Sequence, residues 1–205
     1  MQNRFIIFEG LDGSGKSTQV SLLSKKLNDL KKSVYMTMEP TNGPLGSIIR
    51  NAFLNRIDLE EEVIASLFAA DRLDHILNKV NGMQEKYNLG YNIICDRYYF
   101  SSCAYHVPFL SLDEILSINS RAINLMVPDI VIFIDTDPEN CWERLINSRD
   151  VFDSFENLNR LKETRKNYME AFKRFENKLE IILINGNQNT EDVHNEIWNQ
   201  IKHLF

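Results

Sequence analysis

The run Gly10-Leu11-Asp12-Gly13-Ser14-Gly15-Lys16-Ser17 restricts the fold of this chain more than any other feature. It fits the pattern G-x-x-x-x-G-K-[ST], and it stands between an apolar, strand-like stretch, Phe5 to Glu9, and a segment of helical period. Its glycines let the backbone curl so that amide N–H groups, and the N-terminus of the next helix, point at negative charge. A loop of this kind needs a buried strand to deliver it and a helix to leave from it, which calls for an α/β sheet. In that setting Lys16 reaches the β- and γ-phosphates of a nucleotide, and the Ser17 hydroxyl ligates Mg²⁺. Gly10, Gly13, Ser14, Gly15, Lys16, Ser17 and Thr18 form the expected nucleotide-binding set. A glycine turn with only a packing role is the bland alternative, and the Lys-Ser pair, the length and the flanking pattern all count against it.

Further apolar runs of strand length occur at Val34 to Met38, Ile93 to Asp96, Ile130 to Asp135 and Ile181 to Ile184, with segments of helical period between them. The alternation predicts a doubly wound, five-stranded parallel sheet with helices on both faces. Leu112, Ile115, Leu116, Ala122, Ile123 and Met126 fall three and four apart on one helix face, and Pro128 stops that helix. Pro138 opens another, running toward Ser148. Arg149 to Leu158 (RDVFDSFENL) breaks the rhythm with charges and aromatics, which predicts a short flap, a lid over about 144–158, ahead of a helix from about Asn159 to Glu176. No repeat, linker or low-complexity tract divides the chain, so residues 1–205 are expected to form a single domain.

Composition narrows the partners. With 23 basic against 29 acidic residues and a net charge of -6, the chain lacks the footprint of a general polyanion binder, so no nucleic acid is expected and any anion site is local. No apolar run approaches the roughly 18 residues of a membrane span. The cysteines, Cys95, Cys103 and Cys141, show neither paired spacing nor a Cys-x-x-Cys motif. A soluble protein of the reducing cytoplasm is expected.

Asp96 and Asp135 each end an apolar strand, which brings both carboxylates to the sheet edge where open α/β sheets bind ligands. Asp96 is the better candidate for Mg²⁺ because Arg97 follows it, and Asp135 reads as a helix-start or loop acid. A guanine-reading Asn-Lys-x-Asp segment after a strand is missing, which disfavours a GTPase switch, and motors generally need more chain. A kinase of a small phosphorylated acceptor needs arginines outside the loop to hold the second set of phosphates, and Arg50, Arg72, Arg97, Arg144 and Arg149 are available.

Here the residues carry a resemblance. Phe5-Ile6-Ile7-Phe8-Glu9-Gly10-Leu11-Asp12-Gly13-Ser14-Gly15-Lys16-Ser17-Thr18-Gln19 resembles the opening of thymidylate kinases, which phosphorylate dTMP with ATP. Three further blocks agree in order and spacing: Glu39-Pro40 with Gly43-Pro44-Leu45-Gly46 and Arg50; Leu67-Phe68-Ala69-Ala70-Asp71-Arg72; and Asp96-Arg97-Tyr98 with Ser101-Ser102 and Ala104-Tyr105. The likeness continues through Pro128-Asp129 to Asp135 and spans essentially the whole chain.

The resemblance implies ATP and Mg²⁺ as cofactors, dTMP as acceptor and a homodimer. It implies that Phe68 stacks on the pyrimidine while Arg72, one turn on along a helix with Asp58 as its N-cap, hydrogen-bonds a base carbonyl. Arg97 and Arg50 would hold the acceptor phosphate, Asp12 would accept from the sugar 3′-OH, Ser102 would touch the base edge, and Tyr105 would pack under the deoxyribose against a 2′-OH. Some relatives carry an arginine at the place of Gly13, while others supply the catalytic arginine from the lid, and this chain resembles the second kind. Arg149 is then the expected transition-state contact and Arg144 a scaffold or adenine-side residue. Lys16, Asp12, Arg97 and Arg149 make up the expected catalytic set, with Ser17 and Asp96 for the metal. Cys103 reads as a bystander. Met38, Thr41-Asn42 and His106 depart from the pattern, with His106 expected to be exposed. The rival readings are a sister kinase for another nucleotide or a deoxynucleoside, and a nucleotide-binding regulatory module without turnover.

Overall fold

The computed structural model describes residues 3–148 and 157–205. Strands β1 (Phe5–Gly10), β2 (Val34–Met38), β3 (Asn92–Asp96), β4 (Ile130–Asp135) and β5 (Glu180–Asn185) form a parallel sheet in the order β2-β3-β1-β4-β5. Each strand run expected from the apolar pattern is present, extended by at most a residue at either end. Between them, among the described residues, run α1 (Lys16–Asp29), α2 (Pro44–Phe53), α3 (Glu61–Leu77), α4 (Met83–Asn88), α5 (Tyr99–Tyr105), α6 (Leu112–Leu125), α7 (Pro138–Ser148), α8 (Leu158–Lys173) and α9 (Thr190–Ile201).

The central strands are apolar because both of their faces are covered. Phe5 and Ile7 of β1, with Val131 and Phe133 of β4, enter a core that includes Ile115 of α6 and Phe172 of α8. Ile6 and Phe8, with Ile130, Ile132 and Ile134, face the other way into a core with Leu23 and Leu27 of α1 and Ile197 of α9. The outer strands β2 and β5 are only partly buried.

Helix ends follow local chemistry. Ser111 and Glu114 form a reciprocal capping box at α6, Pro44 occupies the first turn of α2, and the Asn157 side chain accepts from the Arg160 amide at the start of α8. Asp58 does not cap α3. The helix begins at Glu61 with Glu60 as its N-cap and without a side-chain capping bond, which leaves Asp58 two residues short of the position from which it would reach the first-turn amides. Glu61 and Glu62 in that first turn favour the helix through its dipole.

Between β3 and β4, both neighbours of β1, the sheet changes its direction of winding, and a crevice opens there at the carboxyl ends of the strands. Asp96 pairs in register with Phe8 on one side of β1, and Ile134 with Gly10 on the other, so the loops after β1 and β3 emerge side by side.

Candidate active site

The loop after β1 turns through Gly10, Gly13 and Gly15, whose φ angles are 151°, 78° and 97°. At Gly13 the requirement is double, because a Cβ there would stand 2.6 Å from the Cys141 carbonyl oxygen of α7. No side chain fits at this position without moving α7, so an arginine contact from within the loop is ruled out. Lys16 opens α1 and is buried, with Nζ donating to the Leu11 carbonyl at 2.9 Å. Burial and the nearby Arg97 charge push its pKa down. Ser14 Oγ is buried with no hydrogen-bond partner among the described residues, whereas Thr18 is exposed on α1.

Ser17 Oγ donates to Asp96 Oδ2 at 2.5 Å, and Asp96 Oδ1 is buried without a partner among the described residues. A hydroxyl beside a carboxylate with one oxygen unspent fits a hard cation, which takes oxygen ligands and keeps several waters. Asp135 is engaged elsewhere, by Arg165 of α8 through Nε at 2.7 Å and Nη2 at 2.8 Å.

Next to the loop lies a cavity of about 340 Å³ whose wall includes Asp12, Arg50, Phe68, Arg97, Ser102, Tyr105 and His106. Six expected acceptor-site residues thus meet on one surface. Arg97 follows β3 at φ 73°, a left-handed conformation that a non-glycine residue rarely adopts, and its amide donates to the Phe8 carbonyl at 2.8 Å. Its Nη2 donates to Asp12 Oδ1 at 2.6 Å, and Nη1 donates to Ser101 Oγ at 2.9 Å and Tyr168 Oη at 3.2 Å. Tyr105 Oη donates to Asp12 Oδ2 at 3.0 Å. Burial works against the Asp12 anion, but the charges of Arg97 and Lys16 and the hydrogen bonds from Tyr105 and Arg97 outweigh it, holding the carboxyl well below the usual range.

Arg50, on α2, reaches the same cavity with its guanidinium braced against the Thr41 carbonyl at 2.6 Å and the Pro40 carbonyl at 3.2 Å. Phe68 is half-buried, with its ring between Phe53 and His106 at centroid distances of 5.9 and 5.4 Å. Arg72 shares the Phe68 face of α3 but is only 1% exposed and is not part of the cavity wall. Its Nε donates to Glu39 at 2.7 Å, and Nη1 donates to Ser102 Oγ at 3.2 Å and to Asn119 Oδ1. Arg72 thus bonds Ser102 of the cavity wall, and its burial is tolerable because a carboxylate and two polar oxygens surround the guanidinium.

His106 is not exposed. It ends α5 with 5% of its surface accessible, because the turn that follows Tyr105 folds its ring against Phe68. Of the other departures, Thr41 donates to the Asp71 carboxylate through its amide and its hydroxyl at 2.7 and 2.6 Å, while Met38 and Asn42 line the cavity. Cys103 is buried, and burial raises its pKa to about 12, so it is held as an inert thiol.

Arg144, on α7, donates from Nη1 to the Gly13 and Ser14 carbonyls at 3.3 and 3.4 Å, and from Nη2 to the Gly186 carbonyl at 3.2 Å. It therefore clamps the outer side of the phosphate loop to the segment after β5. Arg149, and with it most of the expected lid, lies outside the described residues.

Sequence reasoning missed the group that ties the site together. Glu9, fully buried at the end of β1, accepts from the Tyr98 amide at 2.8 Å, from Ser101 Oγ at 2.6 Å and from Tyr168 Oη at 2.9 Å. An acid closing an otherwise apolar strand was the available signal for Glu9. A lone tyrosine on α8 gave none for Tyr168.

A family profile described as thymidylate kinase matches residues 8–197. A probable thymidylate kinase of Methanococcus aeolicus is 41% identical over 199 residues, 95% of this chain and 94% of the relative. A probable thymidylate kinase of Methanocaldococcus jannaschii is 34% identical over 206 residues, 100% of this chain and 98% of the relative. The thymidylate kinase of Aster yellows witches'-broom phytoplasma is 35% identical over 214 residues, covering 98% of each.

Proposed function

Because the chain belongs to the thymidylate kinase family, we infer that it transfers the γ-phosphoryl group of ATP to dTMP, giving dTDP and ADP. The observation that carries this reading is the cavity beside the phosphate loop, where the Arg97–Asp12–Tyr105 cluster meets a wall containing Phe68. In-line phosphoryl transfer asks for positioning and charge neutralisation more than for covalent chemistry, and the side chains on this surface are suited to both.

On this reading the loop amides and Lys16 hold the ATP phosphates. Arg97 and Arg50 grip the phosphate of dTMP, Phe68 stacks on thymine, Arg72 hydrogen-bonds a base carbonyl, and Ser102, which accepts from Arg72, touches the base edge. Asp12, kept ionised by Arg97, accepts from the sugar 3′-OH, and Tyr105 packs under the deoxyribose where a 2′-OH would collide with it. Ser17 and Asp96 would hold Mg²⁺, which when bound neutralises charge on the transferring phosphates. Arg144 braces the loop from the adenine side, and Arg149 is the proposed transition-state contact. A homodimer, a cytoplasmic location and a lid over about 144–158 on a single domain complete the proposal. Among the described residues no helix is long and apolar enough to cross a membrane.

The test is ADP release from MgATP in the presence of dTMP, dUMP, dCMP, dGMP or thymidine. Fastest turnover with dTMP is expected. A preference for another acceptor would reassign the substrate, and no turnover with any of them despite ATP binding would leave a regulatory nucleotide-binding module.

A further inference from the structure

Behind the acceptor cavity lies a fully buried acid to which none of the steps above gives a task. The two oxygens of Glu9 are spent differently. Oε1 accepts from two main-chain amides, Tyr98 at 2.8 Å and Ser101 at 3.2 Å. Oε2 meets two hydroxyls, Ser101 Oγ at 2.6 Å and Tyr168 Oη at 2.9 Å. These same hydroxyl oxygens accept from Arg97 Nη1 at 2.9 and 3.2 Å, and they stand 2.9 Å from each other.

Oε2, Ser101 Oγ and Tyr168 Oη thus form a triangle of three contacts, and among the described residues the remaining partner of both hydroxyls is Arg97. A guanidinium only donates, so each hydroxyl oxygen must turn a lone pair toward it and keep its own proton inside the triangle. The two hydroxyl protons fit the three sides with one side to spare. Burial pushes the Glu9 pKa up, against the Arg97 charge and the hydrogen bonds, and a proton taken up by the acid also fits: it sits on Oε2, because Oε1 faces two N–H groups, and it fills the third side. In either charge state Arg97 meets lone pairs alone.

We infer that Glu9 is a positioning residue for phosphoryl transfer: it draws the protons of Ser101 and Tyr168 away from Arg97 and thereby fixes the plane in which the guanidinium meets the acceptor phosphate. The inference rests on the dTMP reading and adds to it the group that orients its phosphate-gripping arginine. A near-isosteric amide cannot do the same. The Tyr98 and Ser101 amides would hold its carbonyl oxygen at the Oε1 position, so its NH₂ group would face the hydroxyls and bring four protons to three sides. The surplus proton then points at Arg97, donor against donor, in a place with little water to relieve it.

Glu9→Gln should lower kcat/KM for dTMP by about 10- to 100-fold, with KM for ATP within about threefold of wild type. In an Arg97→Ala background, which has no guanidinium to orient, the same substitution should cost less than about threefold more. A purely architectural acid would instead weaken both nucleotides alike and add its full loss to that of Arg97→Ala, and either result overturns the inference while leaving the kinase reading intact. Neutron diffraction from perdeuterated wild-type crystals decides the matter even if Glu9→Gln fails to fold. No hydroxyl deuteron of Ser101 or Tyr168 should point at Arg97, and one that does overturns the assignment. A wild-type enzyme that ignores dTMP altogether overturns the kinase reading itself.

Discussion

Arg97 donates to Asp12 across 2.6 Å, joining the residue that follows β3 to the phosphate loop that follows β1. The pair sets the charge of each member: the guanidinium keeps the carboxylate ionised, and the carboxylate, with Tyr105, Tyr168 and Asp96, holds the half-buried guanidinium as a cation against the pull of desolvation.

Arg97→Ala should therefore abolish acceptor positioning while sparing the donor side. We expect kcat/KM for dTMP to fall by about 10³ or more, with ATP affinity within about threefold of wild type. Steady-state ADP release and ATP titration check both numbers, and near-normal turnover would remove Arg97 from the catalytic set.

Gly13→Ala should damage the phosphate loop directly. The substitution forces a Cβ to 2.6 Å from the Cys141 carbonyl and places alanine at φ 78°. A backbone conformation of this kind costs about 1–3 kcal/mol for a non-glycine residue, before the overlap is counted. Lowered thermal stability together with weakened ATP binding is expected, and an unchanged melting temperature would contradict the contact with α7.

The two lid-side arginines should separate kinetically. Arg144 braces three carbonyls around the loop, so Arg144→Ala should raise KM for ATP by about 3- to 10-fold with little change in kcat. Arg149→Ala should lower kcat by about 10² or more if that side chain meets charge that develops only in the transition state. Exchanged signatures would exchange the roles.

His106 makes stability depend on pH with a definite sign. Lowered by burial, its folded pKa of about 4 lies below the ordinary imidazole value of about 6.5. Below about pH 6.5 the unfolded chain takes up a proton that the folded chain refuses, so stability is full above that pH and falls as pH drops toward 4. The complete shift corresponds to about 3 kcal/mol. Thermal melts of wild type and His106→Gln between pH 4 and 7 test this, with a shallower decline expected for the variant; parallel curves would show that the ring does not titrate in this way.

Much of this was legible from one dimension because the determinants are local. The strands announced themselves as apolar runs bounded by polar residues, since their faces meet two cores, and the phosphate loop announced itself through residue types at fixed spacing. The acceptor-site residues came from ordered blocks rather than periodicity, and the described ones lie along one cavity, apart from Arg72. What escaped was long-range and polar. Tyr168 meets Glu9 across 159 positions, and Arg72 meets Asn119 across 47, so no sequence window contains either pair. His106 was misjudged for the same reason: the ring that covers it belongs to α3, which is remote in the chain.

Glu9 belongs to the strand that delivers the phosphate loop, yet it grips the first turn of α5 and the middle of α8. Donor and acceptor halves thus share one internal strut, and a push on either is passed to the other instead of being absorbed between them. The gap that a phosphoryl group must cross is consequently a dimension of the polypeptide, set before either nucleotide arrives.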